Sequence, residues 1–219
     1  METSESAKAL AESAHSFHNE TTMSIVFARN GVMHETICLI DYHKYWVYDE
    51  ENEKVKNPEF DVRCGQLLDV KGDKNGRSFA PSVTAFGNLL AKTLRDFKPF
   101  AQYVSIDIAI VPKSEAGRVA PGLIGVAERL VALDKRFVLP RPQILTRTKT
   151  IEKLASGGNR ATSVHTQSIR ADIAMNRRRR AVLLLDDIGT TGNSIIACTD
   201  LIYAAGAARV FPVVLGRTK

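Results

Sequence analysis

No GxxxxGK[ST] and no GxGxxG occurs in the 219 residues, which excludes the P-loop and the common dinucleotide-binding fingerprint. Cysteine is scarce: Cys38, Cys64 and Cys198 lie far apart without a CxxC pair. An odd, unpatterned set argues against a disulfide framework and a zinc site, and suits reduced thiols in the cytoplasm. The five histidines do not group, and Cys38 with His43 lacks a second ligand pair. No apolar run approaches the roughly eighteen residues of a membrane span, so no membrane partner is expected. Met1 to Glu20 is polar and mixed in charge, unlike a signal or transit peptide.

What is present is ordinary globular material: 44% hydrophobic and 25% charged residues, enough to bury a full core. The net charge of +6 suits anionic partners, polyphosphates or nucleic acid, without choosing between them. The run Arg177-Arg178-Arg179-Arg180 precedes an apolar strand and has no interleaved aromatics, so it reads as a solvated turn. A homodimer stays open.

Ser4 to His18 reads as a short helix. Met23 to Arg29 and Glu35 to Asp41 read as strands joined at Asn30-Gly31, a strong hairpin signal. Tyr42, Tyr45, Trp46 and Tyr48 follow, a stripe suited to packing or to stacking on a planar ligand. Asp49 to Pro58 reads as a charged loop and Gln66 to Lys71 as a strand. Pro81 fits a first helical turn, with Val83, Phe86, Leu89, Leu90 and Leu94 at helical spacing behind it.

From Val104 the texture turns to alternating strands and helices. Strands are expected at Val104 to Val111, Phe137 to Leu145, Ala181 to Leu185 and Val210 to Leu215. Helices are expected from Pro121 and from Ser194 to Ala205, the latter stopped by Gly206. The fold class is α/β, with a central, mostly parallel sheet flanked by helices. Residues 1–80 are expected to form an N-terminal helix and a small hood, and 81–219 the core.

The strongest chemical signal is where Ala181-Val182-Leu183-Leu184-Leu185 runs into Asp186-Asp187. Two adjacent carboxylates at the end of a buried strand are costly unless they face a cleft. Open α/β sheets bind ligands in the crevice at that edge. Ile188, Gly189, Thr190, Thr191, Gly192, Asn193 and Ser194 then lead into a helix. Small and hydroxyl-bearing residues let backbone N–H groups converge on a phosphate at a helix N-terminus. The acids accept hydrogen bonds from sugar hydroxyls, directly or through hydrated Mg²⁺. A phosphate beside a diol describes ribose 5-phosphate. A plain strand-to-helix turn accounts for the glycines and caps, but not for the two acids.

Val182 to Ser194 resembles the thirteen-residue phosphoribosyl-pyrophosphate (PRPP) signature of type I phosphoribosyltransferases. Ile110-Val111-Pro112-Lys113-Ser114 resembles the Val-Pro pyrophosphate loop of the ComF-like subgroup. Arg147-Thr148-Lys149-Thr150, with Arg160, resembles its basic flexible segment, and Ala205-Gly206-Ala207 with Val210 its last helix end and strand. The resemblance covers about residues 66–217. The subgroup's N-terminal cysteine zinc motif is absent, and Lys153 stands where glutamine is frequent.

The resemblance implies a Mg²⁺-dependent phosphoribosyltransferase that exchanges the pyrophosphate of PRPP for an unidentified nitrogen acceptor. It implies catalytic roles for Asp186, Asp187, Arg147 and Lys149. PRPP would be held by Val111 to Ser114 and Asp186 to Ser194. The metal would lie near Asp186 and Asp187 through water or the ribose hydroxyls. Thr146 to Ser163, with Gly157-Gly158, would form a lid. Thr190 stands where purine-salvage relatives commonly carry an aspartate, which disfavours oxopurine salvage by that route. Two other classes stay open. One is a PRPP- or nucleotide-binding module, regulatory or accessory to DNA uptake. The other is a hydrolase acting on a nucleotide or phosphosugar, disfavoured because haloacid-dehalogenase-type chemistry needs acids two residues apart.

Overall fold

A computed structural model describes residues 23–29, 32–95, 97–152, 162–174, 176 and 180–219. The expected helix at Ser4 to His18, the Asn30-Gly31 turn, Lys153, Gly157-Gly158, Arg160 and Arg177 to Arg179 lie outside the described residues.

The chain opens with β1 (Met23–Arg29), β2 (Val32–Tyr42), β3 (Trp46–Tyr48) and β4 (Lys54–Lys56). Helices α1 (Val62–Lys71) and α2 (Phe79–Arg95) follow, then β5 (Ile106–Ile110), α3 (Pro121–Leu133) and β6 (Phe137–Val138). Next come β7 (Leu145–Arg147), α4 (Thr162–Ser168) and β8 (Ile169–Ala171). The chain ends with β9 (Ala181–Gly189), α5 (Asn193–Ala204) and β10 (Arg209–Thr218).

Six strands form the central sheet in the order β1-β2-β10-β9-β5-β6. β1 is antiparallel to β2, and the remaining pairings are parallel. The fold is therefore α/β, with a mostly parallel sheet flanked by helices. Residues alternate between the two faces of a strand, and β9 shows this clearly. Leu183 and Leu185 pack with Leu67 of α1, Phe86 and Leu90 of α2, and Val126 and Leu130 of α3. Val182 and Leu184 pack on the other face with Ile195, Cys198 and Ile202 of α5. Each fully buried Leu or Ile contributes about 1.5–3 kcal/mol. Among the described residues, no helix is long and apolar enough to cross a membrane.

Three local expectations change. Gln66 to Lys71 is the end of helix α1, not a strand. Asp61 caps that helix by accepting the Cys64 N–H at 2.8 Å, and Cys64, Leu67 and Val70 form its buried stripe. Phe137 to Leu145 is not one strand. Only Phe137 and Val138 pair with β5, because Pro140 and Pro142 interrupt the segment and lack donors for a ladder. Within Asp49 to Pro58, Lys54–Lys56 pairs with Trp46–Tyr48 as a separate hairpin.

The hood expected over residues 1–80 shares its strands with the core. β2 lies beside β10 in the central sheet, and α1 contributes to the same apolar cluster as Leu183 and Leu185. Residues on both sides of position 80 thus build one sheet and one core. β2 runs parallel to β10 and β9, so Tyr42 ends at the sheet edge where Gly189 ends. The β3–β4 hairpin leaves from that edge.

The connections place the crevice. β5 passes through α3 to β6 on one side, whereas β9 passes through α5 to β10 on the other. β5 and β9 are neighbours, so the strand order reverses between them. Ligands of open α/β sheets bind at that reversal, outside the carboxyl ends.

Candidate functional site

The two segments singled out in the sequence meet at this reversal. The Val111 N–H donates to the Leu185 carbonyl at 3.0 Å, tying the start of one loop to the end of β9. Val111 and Pro112 are buried, Ser114 is half-buried and Lys113 is exposed.

Asp186 and Asp187 are adjacent in sequence and face opposite sides of the sheet, as the period of a strand requires. Asp186 follows Leu184 toward α5. Its Oδ1 accepts the Asp187 N–H at 2.8 Å, and its Oδ2 accepts the Ser194 hydroxyl at 3.4 Å. Burial, and then the charge of Asp187, pushes its carboxyl up to about 7. Asp187 follows Leu185 toward α1. Its Oδ1 accepts the Ile188 N–H at 2.6 Å, and its Oδ2 lies 2.7 Å from Lys71 Nζ. The pair is therefore not a two-armed chelate. Both acids are half-buried, Asp187 on the α1 side of the sheet and Asp186 on the α5 side. Cys198 sits next to Asp186 in the α5 layer, where burial pushes its thiol far up and keeps it protonated.

Thr190 and Thr191 are exposed, and Asn193 and Ser194 are half-buried. Gly192 caps α5 in the left-handed region at φ 73°, a conformation open to glycine without a Cβ penalty. A Cβ there would also meet Phe27 Cγ at 2.2 Å. Phe27, reaching over from β1, thus backs the turn that leads into α5. The Thr162 hydroxyl of α4 donates to Asn193 Oδ1 at 3.3 Å, joining a third element to the same turn.

Arg147, expected as a cation facing the pyrophosphate, is 2% exposed. Its Nε–H donates to the Lys113 carbonyl, and Nη1 donates to the Ser168 hydroxyl at 2.6 Å. Its Nη2 lies 3.4 Å from His165 Nδ1. Burial, then the charge of Arg147, holds the His165 imidazole below its ordinary value, so the ring is neutral at neutral pH. Arg147 is buried because the β7–β8 hairpin and α4 close over it. Lys149, the second expected cation, is exposed.

Backbone bonds join the segment around Arg147 to the Val111–Ser114 loop. The Gly117 N–H donates to the Arg147 carbonyl, and the Ile151 N–H to the Ser114 carbonyl, both at 2.9 Å. The Ala116 N–H donates to the Thr150 hydroxyl at 3.1 Å. The two basic-loop motifs are one structural unit.

Lys71, Phe27, His165 and Ser168 were not identified from the sequence as parts of this site. Reading Gln66 to Lys71 as a helix would have put Lys71 at a helix C-terminus, where a cation is favourable. Its approach to Asp187 is set by tertiary packing alone. Arg180 belongs elsewhere: its Nη1 donates to Ser105 Oγ at 3.2 Å, at the end of β9 opposite the crevice. Arg180, the last residue of the basic run, thus lies away from the acids. Among the described residues, no group of three or more His, Cys, Asp or Glu converges as a metal site. No protein-family model matches the chain, and no curated protein matches it either.

Proposed function

We propose that the protein is a Mg²⁺-dependent phosphoribosyltransferase that binds PRPP at the β5–β9 reversal and transfers ribose 5-phosphate to a nitrogen acceptor. The observation that carries this reading is the meeting of the Val111–Ser114 and Asp186–Ser194 loops, joined by the Val111–Leu185 hydrogen bond. A turn at a helix start, a strand-end carboxylate and a second backbone loop at one sheet edge suit the phosphate, ribose and pyrophosphate of PRPP in kind.

The 5-phosphate belongs at Thr190 to Ser194, where backbone N–H groups and hydroxyls cluster at the start of α5. Asp187 is placed to accept from ribose hydroxyls, and Asp186 supports it from the α5 side. The pyrophosphate belongs against Lys113 and Ser114, with Lys149 as the exposed cation nearby in sequence. In the reaction, the acceptor nitrogen's lone pair forms a bond to C1 as the C1–O bond breaks. That electron pair leaves on pyrophosphate, and the nitrogen's proton passes to solvent. Positive charge develops on the ribose, and Asp187 offsets it. Mg²⁺ fits as a hydrated ion held chiefly by the ligand's phosphates and hydroxyls, because the two carboxylates diverge; bound there, it would offset charge on the leaving group.

Burial of Arg147 favours a second reading. It takes one expected cation out of the crevice, as suits a module that binds PRPP or a nucleotide without transfer. A pyrophosphate-release screen with PRPP and Mg²⁺ across purines, pyrimidines and simple amines separates the two. Acceptor-dependent release is the outcome expected of the enzyme. Tight PRPP binding with no release across the panel selects the module.

A further inference from the structure

The Lys113 carbonyl is turned inward onto the buried Arg147 guanidinium. In a trans peptide the carbonyl and the following N–H point in opposite directions, and the Lys113–Ser114 bond is trans. Fixing the carbonyl against Arg147 therefore turns the Ser114 N–H away from the buried layer. Most other donors in this loop are committed. The Lys113 N–H bonds the Arg118 carbonyl, Ala116 bonds Thr150, Gly117 bonds Arg147 and Arg118 bonds Glu115. Among the described residues, the N–H groups of Ser114 and Glu115 make no hydrogen bond. Successive N–H groups that converge in a turn form an anion-binding concavity, and these two are the uncommitted donors at this strand end.

We infer that Arg147 is a positioning residue that locks the Lys113–Ser114 peptide so that the Ser114 and Glu115 N–H groups face an anionic ligand. On the reading above, that ligand is the pyrophosphate half of PRPP. The guanidinium acts from behind the loop and does not touch the ligand. Ser168 and His165 hold its other two nitrogens, so the orientation is over-determined by three partners. This explains why a cation stands at this point of the sequence and yet lies buried.

Ribose 5-phosphate and magnesium pyrophosphate probe the two halves of the site separately. In Arg147→Met, pyrophosphate binding is expected to weaken by about 10-fold or more, the scale of a lost hydrogen bond to a charged group. Ribose 5-phosphate binding should stay within about 2-fold, because its turn is built from β9 and α5. Arg147→Lys, which keeps the charge but cannot reach all three partners, should fall between. In the ¹⁵N-labelled wild-type protein, the Ser114 and Glu115 amide resonances should move on adding magnesium pyrophosphate. That measurement stands if Arg147→Met does not fold. Parallel loss of both ligands, pyrophosphate affinity indifferent to Arg147, or amide resonances that stay in place overturns the inference. Binding of neither ligand by the wild type overturns the phosphoribosyltransferase reading itself.

Discussion

Lys71 Nζ stands 2.7 Å from Asp187 Oδ2, joining the last residue of α1 to the acid at the mouth of the crevice. It also lowers the cost of ionising Asp186, where its charge opposes burial. Two carboxylates beside the proposed polyanionic ligand would need a counter-charge, and Lys71 would supply one from the chain.

Lys71→Met should therefore lower PRPP affinity most when Mg²⁺ is scarce. A charge several ångströms away in a half-exposed site is worth on the order of 1 kcal/mol, about 5-fold in affinity. The gap should narrow as Mg²⁺ rises, because the divalent ion replaces the missing charge. Calorimetric titrations across a Mg²⁺ series measure this directly. Equal or tighter binding by the variant at every Mg²⁺ concentration would show that Lys71 has no such role.

Gly192 and Phe27 make a paired prediction. Gly192→Ala places a Cβ against the Phe27 ring and forces an alanine to φ 73°. Together these should cost about 2 kcal/mol or more in stability. Adding Phe27→Ala should relieve the clash, leaving about 1 kcal/mol of backbone strain on top of the cavity cost. Urea melts of the four proteins in a double-mutant cycle report the coupling. Additive losses would show that the ring does not back the turn.

Asp186 and His165 give opposing pH slopes. Asp186 is raised to about 7, above its unfolded value near 4. Its contribution is fully present below the unfolded value and is lost as pH rises through about 7. His165 is depressed by burial, so its contribution is present above its unfolded value near 6.5 and is lost as pH falls through the folded value. Asp186→Asn removes the alkaline-side loss and should stabilise the protein at pH 8.5 by on the order of 2 kcal/mol, discounted for partial solvent contact. At pH 5 its effect should be smaller. Melts of both proteins at the two pH values check this, and a stability difference independent of pH would remove the basis for a raised Asp186.

Much of the fold is legible in the sequence because its strands are continuous apolar runs. Ala181 to Leu185 reads as a buried strand because the run is short, apolar and ends in two acids, and Pro121 and Gly206 mark helix ends by backbone chemistry. Asp186 to Ser194 is legible for the same reason, since a costly acid pair must lie at an edge. Helix α1 is not legible from Gln66 to Lys71 alone, because its cap, Asp61, lies upstream of that stretch. The opposite directions of Asp186 and Asp187 follow from strand alternation once β9 is seen to continue to Gly189. The burial of Arg147 was not legible. It depends on the β7–β8 hairpin and α4 folding over a side chain that ordinarily stays in water. Lys71 meets Asp187 only because α1 packs on one sheet face, a relation between distant segments.

The most direct test of the proposed ribose 5-phosphate site is calorimetric titration of PRPP into the wild-type protein and Asp187→Asn, each with Mg²⁺. The expected result is saturable one-site binding to the wild type and affinity about 10-fold weaker in the variant, from loss of a charge-assisted acceptor for the ribose hydroxyls. No PRPP binding by the wild type, or equal affinity in the two proteins, would contradict it.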